Sequence, residues 1–209
     1  MTLFDPDCRI CPRLATFLDQ VKIDHPSYHA RPVTPFGDPE AQLLIVGLAP
    51  GMHGANATGR PFTGDHAGIL LYKTLHQYGF SNQPEATAVD DGLQLYNCRI
   101  TNAVKCLPPQ NKPTGAEINL CNAFLKRELE ALPKDAVVLA LGGVAHRAVL
   151  KACGEKLSGY TFAHTALHPL QNGLKLLDSY HCSRYNTQTR RLTPAMFQQV
   201  FAQARALIS

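Results

Sequence analysis

The chain has 209 residues, 45% of them hydrophobic, which is enough for one ordinary domain with a full core. Its formal net charge of +4 permits a polyanionic partner without demanding one. No apolar run spans a bilayer, the start "MTLFDPDCRICPRL" lacks a secretory pattern, and seven cysteines is an odd number for a disulfide framework, so an intracellular, cytoplasmic protein with reduced or metal-bound thiols is expected.

The first forty residues are proline-rich and read as irregular. Gln42–Gly47, "QLLIVG", reads as a buried strand, and "HAGILLYKTLHQYGF" as the helix after it, with Gly79 as its C-cap. "LYNCRITNAV" is the next strand. Thr114–Glu117, "TGAE", matches a capping box and opens a helix running to about Leu132. Ala136–Gly143, "AVVLALGG", is a third strand, followed by a helix over "VAHRAVLKACG", and "NGLKLLDSYH" supplies a fourth. "TPAMFQQVFAQARALIS" is a final helix, with Thr193 as N-cap, Pro194 at its first position, and Phe197, Val200, Phe201, Ala204, Leu207 and Ile208 on one stripe.

Strands separated by helices predict an α/β fold with a mostly parallel sheet covered on both faces. No repeat, low-complexity tract or composition shift marks a second domain, so residues 1–209 read as one. Ligands of such sheets bind in loops beyond the carboxyl ends of the strands. "GLAPG", "TNAVKC" and "HCSRYN" each follow a strand, which points to one shared site.

Cys8 and Cys11 form a C-x-x-C pair, and Cys106 and Cys121 lie far downstream. Four thiolates in two groups can close around a zinc ion or a [4Fe–4S] cluster, and spacing does not choose between them. Such a centre would tie the N-terminus to the body. The competing reading is a redox pair with two unrelated core thiols. Cys98, Cys153 and Cys182 sit in apolar or strand contexts and read as small core residues.

Taken together, "GLAPGMHGANATGRPFTGD", "RITNAVKCLPP" and "YHCSRYNTQT" resemble the uracil-DNA glycosylase superfamily, and within it the thermostable B-type branch, family 5. The resemblance runs from the first cysteine pair to the last helix. It implies a three-layer α/β/α sandwich with a short, mostly parallel sheet, and a structural [4Fe–4S] cluster on Cys8, Cys11, Cys106 and Cys121. It also implies hydrolysis of the bond between deoxyribose and uracil or another deaminated base, hypoxanthine and xanthine included. Leu48 and Ala49 stand where related branches carry the glutamate or aspartate that activates water, as the B-type branch implies. Ala57 and Arg190 replace an arginine and a glycine of the pattern. The partner implied is DNA containing deaminated bases, with the protein as a monomer associated with the nucleoid.

Under this resemblance each polar residue acquires a role beside its structural one. A target base must leave the helical stack, at a cost of a few kcal/mol that the pocket must offset. Phe62 is a stacking platform or a core ring; its proline and glycine neighbours suggest exposure. Asn102 can pair its amide with the N3 donor and O4 acceptor of uracil, or be a strand-end turn residue. His181 can donate to the base carbonyl as charge builds there, or be a satisfied structural histidine. Asp65 can orient or deprotonate water, or cap the helix that follows it, and capping would keep it ionised. Gly51 and its neighbouring glycines let backbone approach the nucleotide closely. Ser183, Arg184 and Asn186 would hold the backbone or base edge near His181, His53 would line the pocket, and Arg190 and Arg191 would touch phosphates. Two other classes compete: a non-catalytic nucleic-acid module with a four-cysteine metal site, and an iron–sulfur redox protein. The second lacks a G-x-G-x-x-G and a second cluster pattern.

Overall fold

Residues 4–208 are described by the computed structural model. In chain order they form α1 (Pro12–Asp24), β1 (Phe36–Gly37), β2 (Leu43–Gly47), α2 (Ala55–Thr58) and α3 (His66–Gln77). Then come β3 (Cys98–Asn102), α4 (Gly115–Glu130), β4 (Val137–Leu141) and α5 (Gly143–Ala152). The chain closes with β5 (Leu167–Pro169), β6 (Lys175–Ser179), α6 (Arg184–Gln188) and α7 (Pro194–Leu207). Ser209, which ends the predicted final helix, lies outside the described residues.

All six strands join one sheet in the order β1-β3-β2-β4-β6-β5. The four inner strands run parallel, with Ile45 beside Ile100 on one side and Leu139 on the other; β1 and β5 pair antiparallel at the edges. Side chains alternate across a strand, so each inner strand feeds two cores. Leu43 and Ile45 pack with Leu71 and Leu75 of α3 and Phe197 and Phe201 of α7. Leu44 and Val46 pack with Leu125 and Leu129 of α4 and Val149 and Leu150 of α5. Burial on both faces explains why these strands read as unbroken apolar runs. The expected three-layer α/β/α arrangement is the one observed, and no helix among the described residues is long and apolar enough to cross a membrane.

Local chemistry sets the helix ends as read. The Thr114 hydroxyl accepts from the Glu117 amide at 3.3 Å while the Glu117 carboxylate accepts from the Thr114 amide at 2.8 Å, a complete capping box. Gly79 follows α3 with φ +73°, a left-handed turn that glycine adopts without strain.

The first forty residues, however, are not irregular. Pro12 occupies the start of α1, where its missing N–H costs nothing, and Leu14, Ala15, Leu18 and Val21 bury one face. The five prolines among the first 35 residues read as breakers, and the apolar stripe of α1 is narrow between charges. Arg13 clamps α1 to the start of α4, its Nε and Nη2 each 2.7 Å from the Glu117 carboxylate. The two edge strands, of two and three residues, were too short to read in the sequence.

At α7 the Thr193 hydroxyl accepts from the Met196 amide at 3.2 Å. Thr193→Ala should therefore cost about 1 kcal/mol, seen as a lower urea midpoint at unchanged slope.

Candidate functional site

Because β2, β3 and β6 point the same way, the loops leaving them meet at one rim of the sheet. They enclose a cavity of about 510 Å³ lined by Leu48, Ala49, Gly51, Phe62, Asp65, Asn102, His181, Ser183 and Arg184, with Ala55, His66, Ala67 and Asn111 completing the wall. That volume lies within the ~300–1,000 Å³ typical of small-ligand sites.

Asp65 stands at the N-cap position of α3 but does not cap it. Its side chain turns to the loop after β2, where Oδ2 accepts from the Ala55 amide at 3.1 Å. The expectation that capping keeps this acid ionised is thus corrected: burial raises its pKa above the ordinary 3.8, opposed by that one N–H. Three glycines make the space for it and its neighbours. A Cβ on Gly54 or Gly51 would sit 1.9 or 2.5 Å from Asp65 Oδ1, and one on Gly47 would sit 2.4 Å from Asn102 Oδ1 and 2.7 Å from Phe62 Cζ. All four distances are shorter than real contacts, so a side chain at any of these positions would displace the carboxylate, the amide or the ring.

Phe62 is not the exposed ring its neighbours suggest. It is 6% exposed, belongs to the core between the sheet and α3, and is held with φ +56°. The core reading is the one observed, and the same ring also lines the cavity and stacks on His181 at 6.0 Å with 30° between planes. Asn102 ends β3 buried, and its Oδ1 has no hydrogen-bond partner among the described residues. A buried unpaired acceptor costs ~1–3 kcal/mol, so its place in a cavity wall marks it as a group waiting for a donor. His66 Nδ1 is a second such atom on the same wall.

His181 follows β6, and burial pushes its pKa down to about 4, so the imidazole is neutral near pH 7. Asn186 does not line the cavity; its Nδ2 donates to the His181 carbonyl at 2.8 Å, and its amide donates to the Ser183 hydroxyl at 3.4 Å. His53 is also outside the wall, its Nδ1 2.8 Å from the Tyr28 hydroxyl. Arg191 lies over the Tyr180 ring at 4.8 Å. The sequence reading missed Gly47, Ala55, His66 and Asn111. The only available signals were the adjacency of His66 to Asp65 and the strand-end glycine after "LLIV".

The four cysteines converge elsewhere. Cys8, Cys11, Cys106 and Cys121 line one apolar recess with Phe4, Leu14, Val104 and Phe124, and the Lys105 amide donates to Cys121 Sγ at 3.3 Å. Their sulfurs are not gathered as tightly as single-ion ligands: among the described residues, the group of three or more with all ligand atoms within 4.8 Å is His146, His168 and Asp178. There Asp178 is satisfied by His146 Nδ1 at 2.8 Å and His168 Nε2 at 3.2 Å, while His146 Nε2 faces the Tyr160 carbonyl. Cys98 and Cys182 are fully buried as expected, and Cys153 is partly so.

Comparison with known proteins places the chain among relatives. The family model "Uracil DNA glycosylase superfamily" matches residues 34–205. A type-5 uracil-DNA glycosylase of Thermus thermophilus is 48% identical over 205 residues, covering 96% of this chain and 93% of the relative. One from Pyrobaculum aerophilum is 42% identical, covering 96% and 88%. A type-4 uracil-DNA glycosylase of Sulfurisphaera tokodaii is 29% identical, covering 78% and 70%.

Gly54→Ala forces a methyl into the Asp65 carboxylate and should cost about 1–3 kcal/mol, read from the denaturant midpoint. Gly79→Ala, with open space around its Cβ position, should cost only the strain of its positive φ.

Proposed function

The chain belongs to the uracil-DNA glycosylase superfamily, and we propose from that premise that it is a uracil-removing DNA glycosylase, a hydrolase of N-glycosyl bonds, whose rim cavity receives the everted base. The observation that carries this reading is the convergence, in one cavity, of an unpaired amide oxygen on Asn102, a ring face on Phe62, a neutral His181 and the Asp65 carboxylate. A non-catalytic nucleic-acid module is not favoured, since the relatives at 42–48% identity are named as glycosylases.

In this reading Phe62 stacks on the base, and Asn102 Oδ1 accepts from N3–H of uracil, filling the orphaned acceptor. Cytosine presents a bare N3 there, leaving two acceptors face to face. His181, neutral, donates one ring N–H toward a base carbonyl, where negative charge grows as the N1–C1′ bond breaks with its electron pair leaving on the base. Water adds to C1′, and its proton passes to Asp65 or through it to solvent. A carboxylate whose pKa is raised by burial is a better base than an exposed one, and its charge favours an oxocarbenium-like sugar. Leu48 and Ala49 offer no substitute acid. Their apolar walls and the cavity volume support acceptance of other deaminated bases, hypoxanthine and xanthine among them. Ser183 and Arg184 contact the nucleotide near His181, Gly51 lets backbone approach it, and DNA is bound by the protein as a monomer.

The recess of Cys8, Cys11, Cys106 and Cys121 suits a [4Fe–4S] cluster, with zinc as the alternative. All four thiols line that one recess, the donor set that either group would take. When bound, it supplies a structural cross-link between the segment before α1, the loop after β3 and α4. A broad visible absorption band lost in Cys106→Ala is the expected signature; a colourless protein with one equivalent of zinc would select the alternative.

Duplexes carrying uracil, incubated with the protein and then treated with alkali, should break at the abasic site. Asp65→Asn should slow the single-turnover rate ~10²–10⁴-fold while duplex binding persists; an unchanged rate sinks the assignment. Since burial raises the Asp65 pKa, the active carboxylate exists above that value, and the rate should fall as pH drops through a midpoint above 3.8. His181, depressed to about 4, should leave no second step between pH 5 and 8.

A further inference from the structure

The loop that leaves β3 after Asn102 closes on a charge the mechanism above does not use. Lys105 is 1% exposed, and its ammonium is held entirely by protein. It donates to the Asn102 carbonyl at 2.9 Å, to the Thr101 hydroxyl, and to Glu128 Oε1 at 2.5 Å. Glu128, also 1% exposed, comes from α4, two turns beyond Cys121. The main chain of the same lysine donates to Cys121 Sγ at 3.3 Å. So α4 grips residues 101–106 twice, once by a thiol on the lysine amide and once by a carboxylate on the lysine ammonium. The ladder continues from β3 through the Ala103 amide to the Gly47 carbonyl at 2.9 Å and the Val104 amide to the Leu48 carbonyl at 3.0 Å. These ties hold the backbone at Asn102 between β2 and α4.

A buried lysine is costly unless every proton is bonded and its charge is paired. Here three acceptors take its three protons, and two of them belong to Thr101 and Asn102, the residues at the cavity end of β3. An apolar side chain would fill the space without that cost, so the bonds to this turn are what the ammonium adds. We propose that Lys105 is a positioning residue for base recognition. It locks the Asn102 backbone to α4, and so links the orientation of the base-reading amide to the helix that carries Cys121. The inference deepens the reading of Asn102 as the uracil contact and rests on it.

Removing the lysine alone leaves buried Glu128 with only Arg99 Nε, 3.8 Å from Oε2, as a counter-charge, so the test pairs Lys105→Met with Glu128→Gln, beside Thr101→Val, which removes the hydroxyl that accepts from Lys105 and donates to Glu128 Oε1 and keeps the ion pair. Three quantities are read: single-turnover rate on uracil duplex, inhibition by free uracil, and binding of an abasic duplex, which has no base for Asn102 to read. The double variant should lose at least tenfold in rate and in free-uracil inhibition while abasic-duplex binding and visible absorbance stay within twofold; Thr101→Val should shift the same two readouts less. Rates and uracil inhibition within twofold of the parent in both variants overturn the proposal, as does an equal loss of abasic-duplex binding. Hydrogen exchange separates this from the functional reading: the Ala103 and Val104 amides should exchange at least tenfold faster in the variants, with β4 amides unchanged. If the parent releases no uracil, that reading fails, and faster exchange confined to Ala103 and Val104 still supports the lock while unchanged exchange refutes it. If the double variant does not fold, Thr101→Val decides by the same readouts.

Discussion

Everything at the rim follows from the parallel pairing of β2 with β3 and β4, and of β4 with β6. Four strands with one polarity deliver their carboxyl ends to one edge, so residues far apart in sequence become neighbours without any long-range search by the loops themselves. Gly47 to Asp65 comes from one such end, Asn102 from the next, and His181 to Arg184 from a third. The same pairing forces both faces of the sheet to be covered, which fixes α3 and α7 on one side and α4 and α5 on the other.

Within that frame the cavity is built by subtraction as much as by addition. Gly47, Gly51 and Gly54 remove three side chains, and the carboxylate, the amide and the ring occupy what is left. The electrostatics are correspondingly spare. Asp65 has one backbone donor, and desolvation leaves His181 uncharged. The ion pairs of Arg60 with Asp91 and of Lys105 with Glu128 lie outside the cavity wall, where they brace loops. A neutral donor and a poorly solvated acid facing a low-dielectric pocket give each remaining charge a long reach.

The inner strands and the major helices were legible because their signals are local: apolar runs for β2 and β4, a capping box for α4, Thr-Pro for α7. The shared site was legible because its motifs each follow a strand. For Phe62 the expected exposure fails, because proline and glycine neighbours signal a turn but say nothing of which way a ring in left-handed backbone is thrown, and here it is thrown inward. For Asp65 only the capping reading fails: a carboxylate before a helix usually caps it, and here the glycine-lined hollow in another loop competes for it. Helix α1 was hidden by the prolines around it and by the one that begins it. The Lys105–Glu128 bond spans two segments with no shared pattern, so nothing local announces it.

The outer margins of the sheet have their own consequence. β1 contributes two residues and β5 three, the latter ending in Pro169, so each flank presents almost no free ladder to a neighbouring chain. Sheet extension, the route by which open α/β sheets fuse laterally, is closed off on both sides. Copies of this chain brought close together therefore lack a long strand edge through which to anneal.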